Sequence, residues 1–483
     1  MRRTRLPSQV PDSLASNRPD AVALIGAIRD GRVNAEQVVA EHLDRLEAGQ
    51  GILNAATAIF RSKALSEAQN PRPGALSGLP VSVKETFGIA GQTITAGSLR
   101  MTPVECREDA EAVRRLREAG AIIVARSNVP EFAMAGETDN PRYGQTRNPI
   151  DPERTCGGSS GGEAALVASG GSAAGLGSDI LGSIRIPASF CGLVGFKPAS
   201  GAISKLGSWP QIPGCYTDSW LSAGPIVRTV RDARLMYEVL SGETMVTRVN
   251  PDGARLIDPV GFPLAFRHEA IPAAVDVARR HLVAQGMRLE SRSLGDVGRW
   301  YRDMVRFIGW ELLPALESML VGPDGRRASL ARETIARWRG SSDIYDGLYR
   351  LIVVGRLTRF RRRRSATAAR TRFEESRVRV RHILGNDGIL LLPTVGTLAP
   401  RHGEMNRLSL KPGVNGLVAP LTLCNYLDLP AVTVPAWRCR DPQTGLVPGV
   451  MLASCPGAEA LLLDVAERLE SIVCRRIPGE DLQ

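Results

Sequence analysis

Two adjacent hydroxyls, Ser159 and Ser160, stand in the glycine run CGGSSGG at 156–162, and a third, Ser183, follows in GSDILGSIRIP at 177–187. A hydroxyl on a backbone with few side chains is a candidate nucleophile, because unobstructed N–H groups can hold the charge that builds on a carbonyl oxygen under attack. A glycine-rich turn feeding a helix can instead cradle phosphate. That use fails here: Glu163 stands where a phosphate loop needs its lysine, and no GxGxxG opens a helix.

A serine nucleophile needs a base. The five histidines, His42, His268, His281, His382 and His402, lie outside this segment and outside any GxSxG elbow. A distant histidine could still fold onto the site, as triad partners do; His42, near the apolar face of a helix, reads as structural. Lysine is the other base, and LPVSVKETFG at 79–88 is a short apolar-alternating run that carries Lys84. A free lysine has a pKa of ~10.4, so only about one molecule in 2500 is neutral at pH 7. Burial beside Val81, Val83, Phe87 and Ile89 would bring it toward neutrality. Glu85, the next residue along the strand, points to the opposite face.

The order VSVKE, GGSSGGEAALVASG, GSDILGSIRIPASFCGLVGFKP resembles the amidase signature hydrolases, which include fatty acid amide hydrolase-like members, aryl acylamidases and urethanases. The resemblance continues in RNPIDPERTCGGSS, DGILLLPTVGTLAP and NYLDLPAVTVPAW, and so covers most of the chain. By position it implies Ser183 as nucleophile, Ser159 as a second serine in a cis peptide, and Lys84 as base. It also implies an oxyanion hole of the N–H groups of Ile180, Leu181, Gly182 and Ser183, with Ser160 in support, and neither metal nor cofactor. Asp179 and Arg185 flank the nucleophile turn and are expected to pair and hold its shape. The chain departs from the family pattern at Leu181, where glycine is usual, at Ala199 and Ala202, and at Met451 in place of a glutamine. Leu181, with Ile180, Ile184 and Ile186, is expected to add apolar surface beside the reacting carbonyl and to favour uncharged substrates.

The activity so implied is hydrolysis of the C–N bond of neutral amides, and of carbamates, through a Ser183 acyl-enzyme. The expected partner is a small-molecule amide, ester or carbamate, with no nucleic acid and no membrane, and with a homodimer left open. Two other readings stand beside it. A glutamyl-tRNA amidotransferase-like subunit shares the signature, and a non-catalytic RNA-associated scaffold would use the net charge of +11.

The elements that must position these residues alternate between strand and helix. Asn34 and Gln37 make a capping pattern before Val38, Val39, Leu43 and Leu46. The strand with Lys84 follows, then EDAEAVRRLREAG as a helix ending at Gly120, and AIIVA as a buried strand. A helix from Glu163 to Ser169 stops at Gly170, GILLLPTV and AVTVPAW read as buried strands, and GAEALLLDVAERLESIV reads as a final helix. Such alternation predicts an α/β fold, and the resemblance makes it a mixed β-sheet core flanked by helices on both faces. The expected organisation is an N-terminal tail at 1–25 and one α/β domain at 26–483, with an arginine-rich, helix-rich insertion at 251–384. Within the insertion, Val353, Leu357, Phe360, Ala368 and Val378 are expected on one side of a long helix that leaves most of the basic run Arg359–Arg364 in solvent.

Composition narrows the class. Hydrophobic residues at 43% and charged residues at 23% over 483 residues describe a globular chain, not a disordered one. The eight cysteines form no CxxC pair and suggest reduced thiols. No apolar run reaches ~18 residues, so the expected location is cytoplasmic.

Overall fold

The computed structural model describes residues 18–211, 216–245, 249–322, 325–359, 364–408 and 413–474. The strands are β1 Ala56–Ile59, β2 Pro80–Lys84, β3 Thr93–Ile94, β4 Val104–Glu105, β5 Ile122–Ser127, β6 Ala174–Asp179, β7 Val194–Lys197, β8 Ser222–Val227, β9 Arg255–Pro259, β10 Arg288–Arg292, β11 Gly388–Pro393, β12 Ala431–Pro435 and β13 Gly449–Ala453. All but β3 and β4, which pair with each other, join one mixed sheet in the order β1-β5-β2-β6-β8-β7-β12-β13-β11-β9-β10. β2 runs parallel to both β5 and β6, whereas β6 is antiparallel to β8.

The central strands are apolar along most of their length because both faces are covered. Every residue of β2, β5, β7, β8, β11, β12 and β13 is buried. One face packs against helices Val230–Ser241, Ala270–Ala284 and Glu459–Val473, which share a core cluster with Val81, Val83, Val432 and Leu452. The other face meets Ala35–Leu53 and Gly161–Ser169 through Leu43, Leu46, Val124 and Leu166. The Asn34 carboxamide caps the first of these helices by accepting from Gln37 N at 2.6 Å, an interaction of ~1 kcal/mol.

Several expectations need correction. A helix, Ala21–Arg29, begins inside the stretch read as a tail, because Asp20 caps it through the N–H of Ala23 at 2.9 Å. Within the segment 251–384, beside its helices, β9 and β10 extend the sheet next to β11. Their charge hides them in the sequence; Arg288, Glu290 and Arg292 occupy an edge strand, where charged side chains discourage pairing with other chains. Among the described residues, helices span Asp346–Arg359 and Arg364–Leu384. The second buries Ala369, Phe373, Val380 and Leu384 and leaves Ala368 and Val378 exposed. Its buried face carries Phe373, whose ring meets Tyr426 edge-on at 4.5 Å. Residues 360–363 of the basic run, and the side chains of Arg359 and Arg364, lie outside the described residues. Among the described residues no helix is long and apolar enough to cross a membrane, and the seven described cysteines are all free thiols.

Candidate active site

Parallel pairing of β2 with β6 sets Val81 opposite Ala174 and Val83 opposite Leu176, so the two strands end together, one on Lys84 and the other on Asp179. The carboxyl ends of neighbouring parallel strands are where open α/β sheets bind ligands. Lys84 is fully buried. Its Nζ donates to Ser159 Oγ at 2.8 Å, to Ser178 Oγ at 2.9 Å and to the Ser178 carbonyl at 3.4 Å. Burial pushes the Lys84 ammonium down to about 7, against the opposing pull of the Asp179 and Glu163 carboxylates. Glu85 turns away, accepting from Thr95 N, Thr95 Oγ1 and Ala96 N.

Ser159 follows a cis peptide bond after Gly158. The surrounding glycines admit other backbone rather than ligand. A Cβ on Gly158 would lie 2.7 Å from the Ala135 carbonyl oxygen, and one on Gly162 would lie 2.5 Å from Asn128 N. Ser160 ties the serine loops together: its N–H donates to the Ser183 carbonyl at 3.1 Å, and its Oγ donates to the Ser178 carbonyl at 3.2 Å. Glu163, one turn into the following helix, is fully buried and accepts from Ser82 Oγ at 2.5 Å. Burial pushes its carboxyl up to about 7, against that hydrogen bond.

The turn after β6 is held by a buried ion pair. Arg185 donates through Nε to Asp179 Oδ2 and through Nη2 to Asp179 Oδ1, both at 3.0 Å, and both side chains are fully enclosed. Asn425 Nδ2 adds a donor to Asp179 Oδ1 at 3.0 Å, and Met451 Sδ takes Arg185 Nη1 at 3.4 Å. Burial alone would raise the Asp179 carboxyl, but the Arg185 guanidinium beside it holds it well below the usual carboxylate range. Removing one member of such a pair strands the other charge. Arg185→Met is therefore expected to cost about 3–5 kcal/mol, measured as a fall in the denaturant midpoint, and an unchanged midpoint would refute the structural role.

Asp179 also restricts the expected oxyanion donors. Its Oδ1 accepts the Gly182 N–H at 2.7 Å, so that group is already spent, while the φ of +102° at Gly182 suits glycine. Among the described residues, no acceptor takes the N–H groups of Ile180, Leu181 or Ser183.

A cavity of about 530 Å³, its mouth to solvent included, opens over Ser159, Ser178 and Ser183. Its walls come from Phe132, Met134, Trp209, Leu221 and Leu312, with Ile180 beside the serines. Leu181 is not part of the lining, contrary to the expectation from sequence: in the bend that follows β6, Ile180 takes the cavity side. None of the five histidines reaches the cavity. Among the described residues no group of three or more His, Cys, Asp or Glu is placed to hold a metal ion.

Sequence reasoning misses the wall and one polar contact. Ser178 stands inside the singled-out GSDILGSIRIP, and its place one residue before Asp179 is the available signal. Phe132 and Ala133 have φ of 56° and 53°, a conformation uncommon outside glycine. Phe132 stacks on Trp209 with ring centroids 5.1 Å apart. Two buried carboxylates hold this segment. Glu131 accepts from Ser98 Oγ at 2.5 Å and Tyr345 N at 2.6 Å, and Glu137 accepts from Gly403 N at 2.8 Å and Met405 N at 2.6 Å.

Comparison with known proteins places these features in context. The family described as Amidase matches residues 37–463. The AtzE component of the 1-carboxybiuret hydrolase of Pseudomonas sp. (strain ADP) is 30% identical over 485 residues, covering 94% of this chain and 99% of that protein. A glutamyl-tRNA(Gln) amidotransferase chain of Nitratidesulfovibrio vulgaris (strain DP4) is 40% identical over 263 residues, and there the match spans only about half of either protein, 52% of each. A crystal structure of an amidase superposes with a TM-score of 0.78 at 27% identity, covering 94% of this chain and all of that one.

Proposed function

The chain belongs to the amidase family, and from that premise we propose that it hydrolyses the C–N bond of neutral amides, and of aryl carbamates by the same route, through an acyl-enzyme on Ser183. The observation that carries this reading is the 2.8 Å contact from the buried Lys84 Nζ to Ser159 Oγ, beneath a cavity that Ser159 shares with Ser183. Neutral Lys84 takes the Ser159 proton as Ser159 takes that of Ser183, and Ser183 Oγ bonds to the substrate carbonyl carbon. The N–H groups of Ile180, Leu181 and Ser183 are the candidate donors to the oxyanion. Collapse breaks the C–N bond, the departing amine recovers the proton from the same relay, and water repeats the sequence to free the acid.

An amidotransferase-like role is the second reading, favoured by the 40% identity to the amidotransferase chain over half the sequence. The described lining offers no cationic side chain to receive the carboxylate of free glutamine, and a charged group desolvated without a partner binds poorly. Both are tested by kcat/KM of the purified chain on neutral anilides, aryl carbamates and glutamine. Anilides and carbamates are expected to exceed glutamine by at least about tenfold, ~1.4 kcal/mol. A preference for glutamine, or turnover only with an added partner, would support the second reading.

A further inference from the structure

The cavity lining carries one formal charge among its described residues, Asp218, set among apolar walls and three serine hydroxyls. The carboxylate is held from behind. Lys205 Nζ donates to Asp218 Oδ2 at 2.9 Å and to the Asp218 main-chain oxygen at 2.7 Å, and Lys205 itself is not part of the lining. The loop that carries Lys205 is in turn fixed to the strand end bearing the base: Trp209 N donates to Thr86 O at 2.7 Å, and Gly88 N to Gly207 O at 3.0 Å. Asp218 is thus a positioned group facing the cavity, with its side chain 41% exposed and its only described cationic partner supplied at Oδ2.

Asp218 lines the same cavity as Ser159 and Ser183, so an acyl or leaving group that fills the apolar walls can bring its far end to this carboxylate. A second carboxylate there meets like charge with no counter-ion in the lining. An ammonium or an N–H donor meets an acceptor. Resting on the Ser183 reading above, we propose that Asp218 sets the charge selectivity of the site and widens the neutral range in one direction only: amides whose remote end is an ammonium or a hydrogen-bond donor across an apolar spacer are taken in preference, and amides ending in a carboxylate are rejected.

The test uses three anilides of one chain length, ending in an ammonium, a methyl group and a carboxylate. For the full-length enzyme, kcat/KM is expected to fall in that order by about tenfold at each step, between the small effect of an exposed pair and the large one of a buried pair. Asp218→Asn is expected to collapse the ammonium-to-carboxylate ratio to within about threefold of unity, where a tenfold ratio would correspond to ~1.4 kcal/mol. Lys205→Met removes the compensating cation and should widen the ratio; a merely structural role for the pair would move neither ratio. Raised salt should narrow it. A wild-type ratio near one, a preference for the carboxylate, or a ratio untouched by both substitutions overturns the role of Asp218 while leaving the hydrolase reading intact. Failure of all three anilides to turn over removes the hydrolase reading and this inference with it.

Discussion

Ser183→Ala is expected to lower amide turnover by at least ~10⁴-fold and to abolish labelling by a serine-reactive sulfonyl fluoride, since it removes the atom proposed to form the acyl bond. The substitution is clean. Alanine keeps the Ser183 carbonyl that accepts Ser160 N and leaves the Asp179–Arg185 pair, which shapes the turn, in place. Loss of rate with an unchanged melting curve is therefore the expected pattern, measured on neutral anilides with the adduct mapped by mass spectrometry. Retained turnover in the alanine variant would show that another residue is the nucleophile.

Lys84→Met should cost ~10²–10⁴-fold in kcat/KM, the range for a positioned proton-transfer group, and should also change the form of the pH profile. Methionine fills a similar volume in a fully enclosed position and puts no charge there. In the native enzyme burial brings Lys84 down to about 7. A lysine base works only after losing its proton, so activity rises with pH through about 7 and, below it, falls about tenfold per pH unit. The methionine variant has no such group, and its residual activity should be level from about pH 6 to 9. The same rising limb in Lys84→Met would assign the proton to a different base.

The residues offered for the chemistry can be read from sequence because they sit in short, glycine-marked segments whose neighbours are local. Lys84 ends an alternating run, and Ser159 and Ser183 lie in loops that announce themselves by composition. The walls are not legible in this way. Phe132, Trp209 and Leu312 come from three separate stretches that converge only once the sheet order is known, and no periodicity within one stretch reports on the other two. Leu181 escapes for a related reason: its identity is plain, but the side to which the bend after β6 directs each residue is not. Arginines and a glutamate conceal β9 and β10, and the helix at 364–384 turns Phe373 inward rather than Ala368 and Val378, against Tyr426, a partner far along the chain. Asp179 and Arg185 can be paired from spacing alone, although the capture of the Gly182 N–H by Asp179 depends on a hydrogen-bond direction that spacing does not hold.

Leu312 contributes to the cavity from the 251–384 segment, whereas Lys84, Ser159, Ser178 and Ser183 belong to β2, the glycine run, and β6 with the turn after it. That segment also braces the wall through the Tyr345 N–H on Glu131, at a distance from the serines. The two halves of the site are therefore separable by substitution. Point changes around Leu312 and Tyr345 can reshape that wall without touching the residues proposed to move protons.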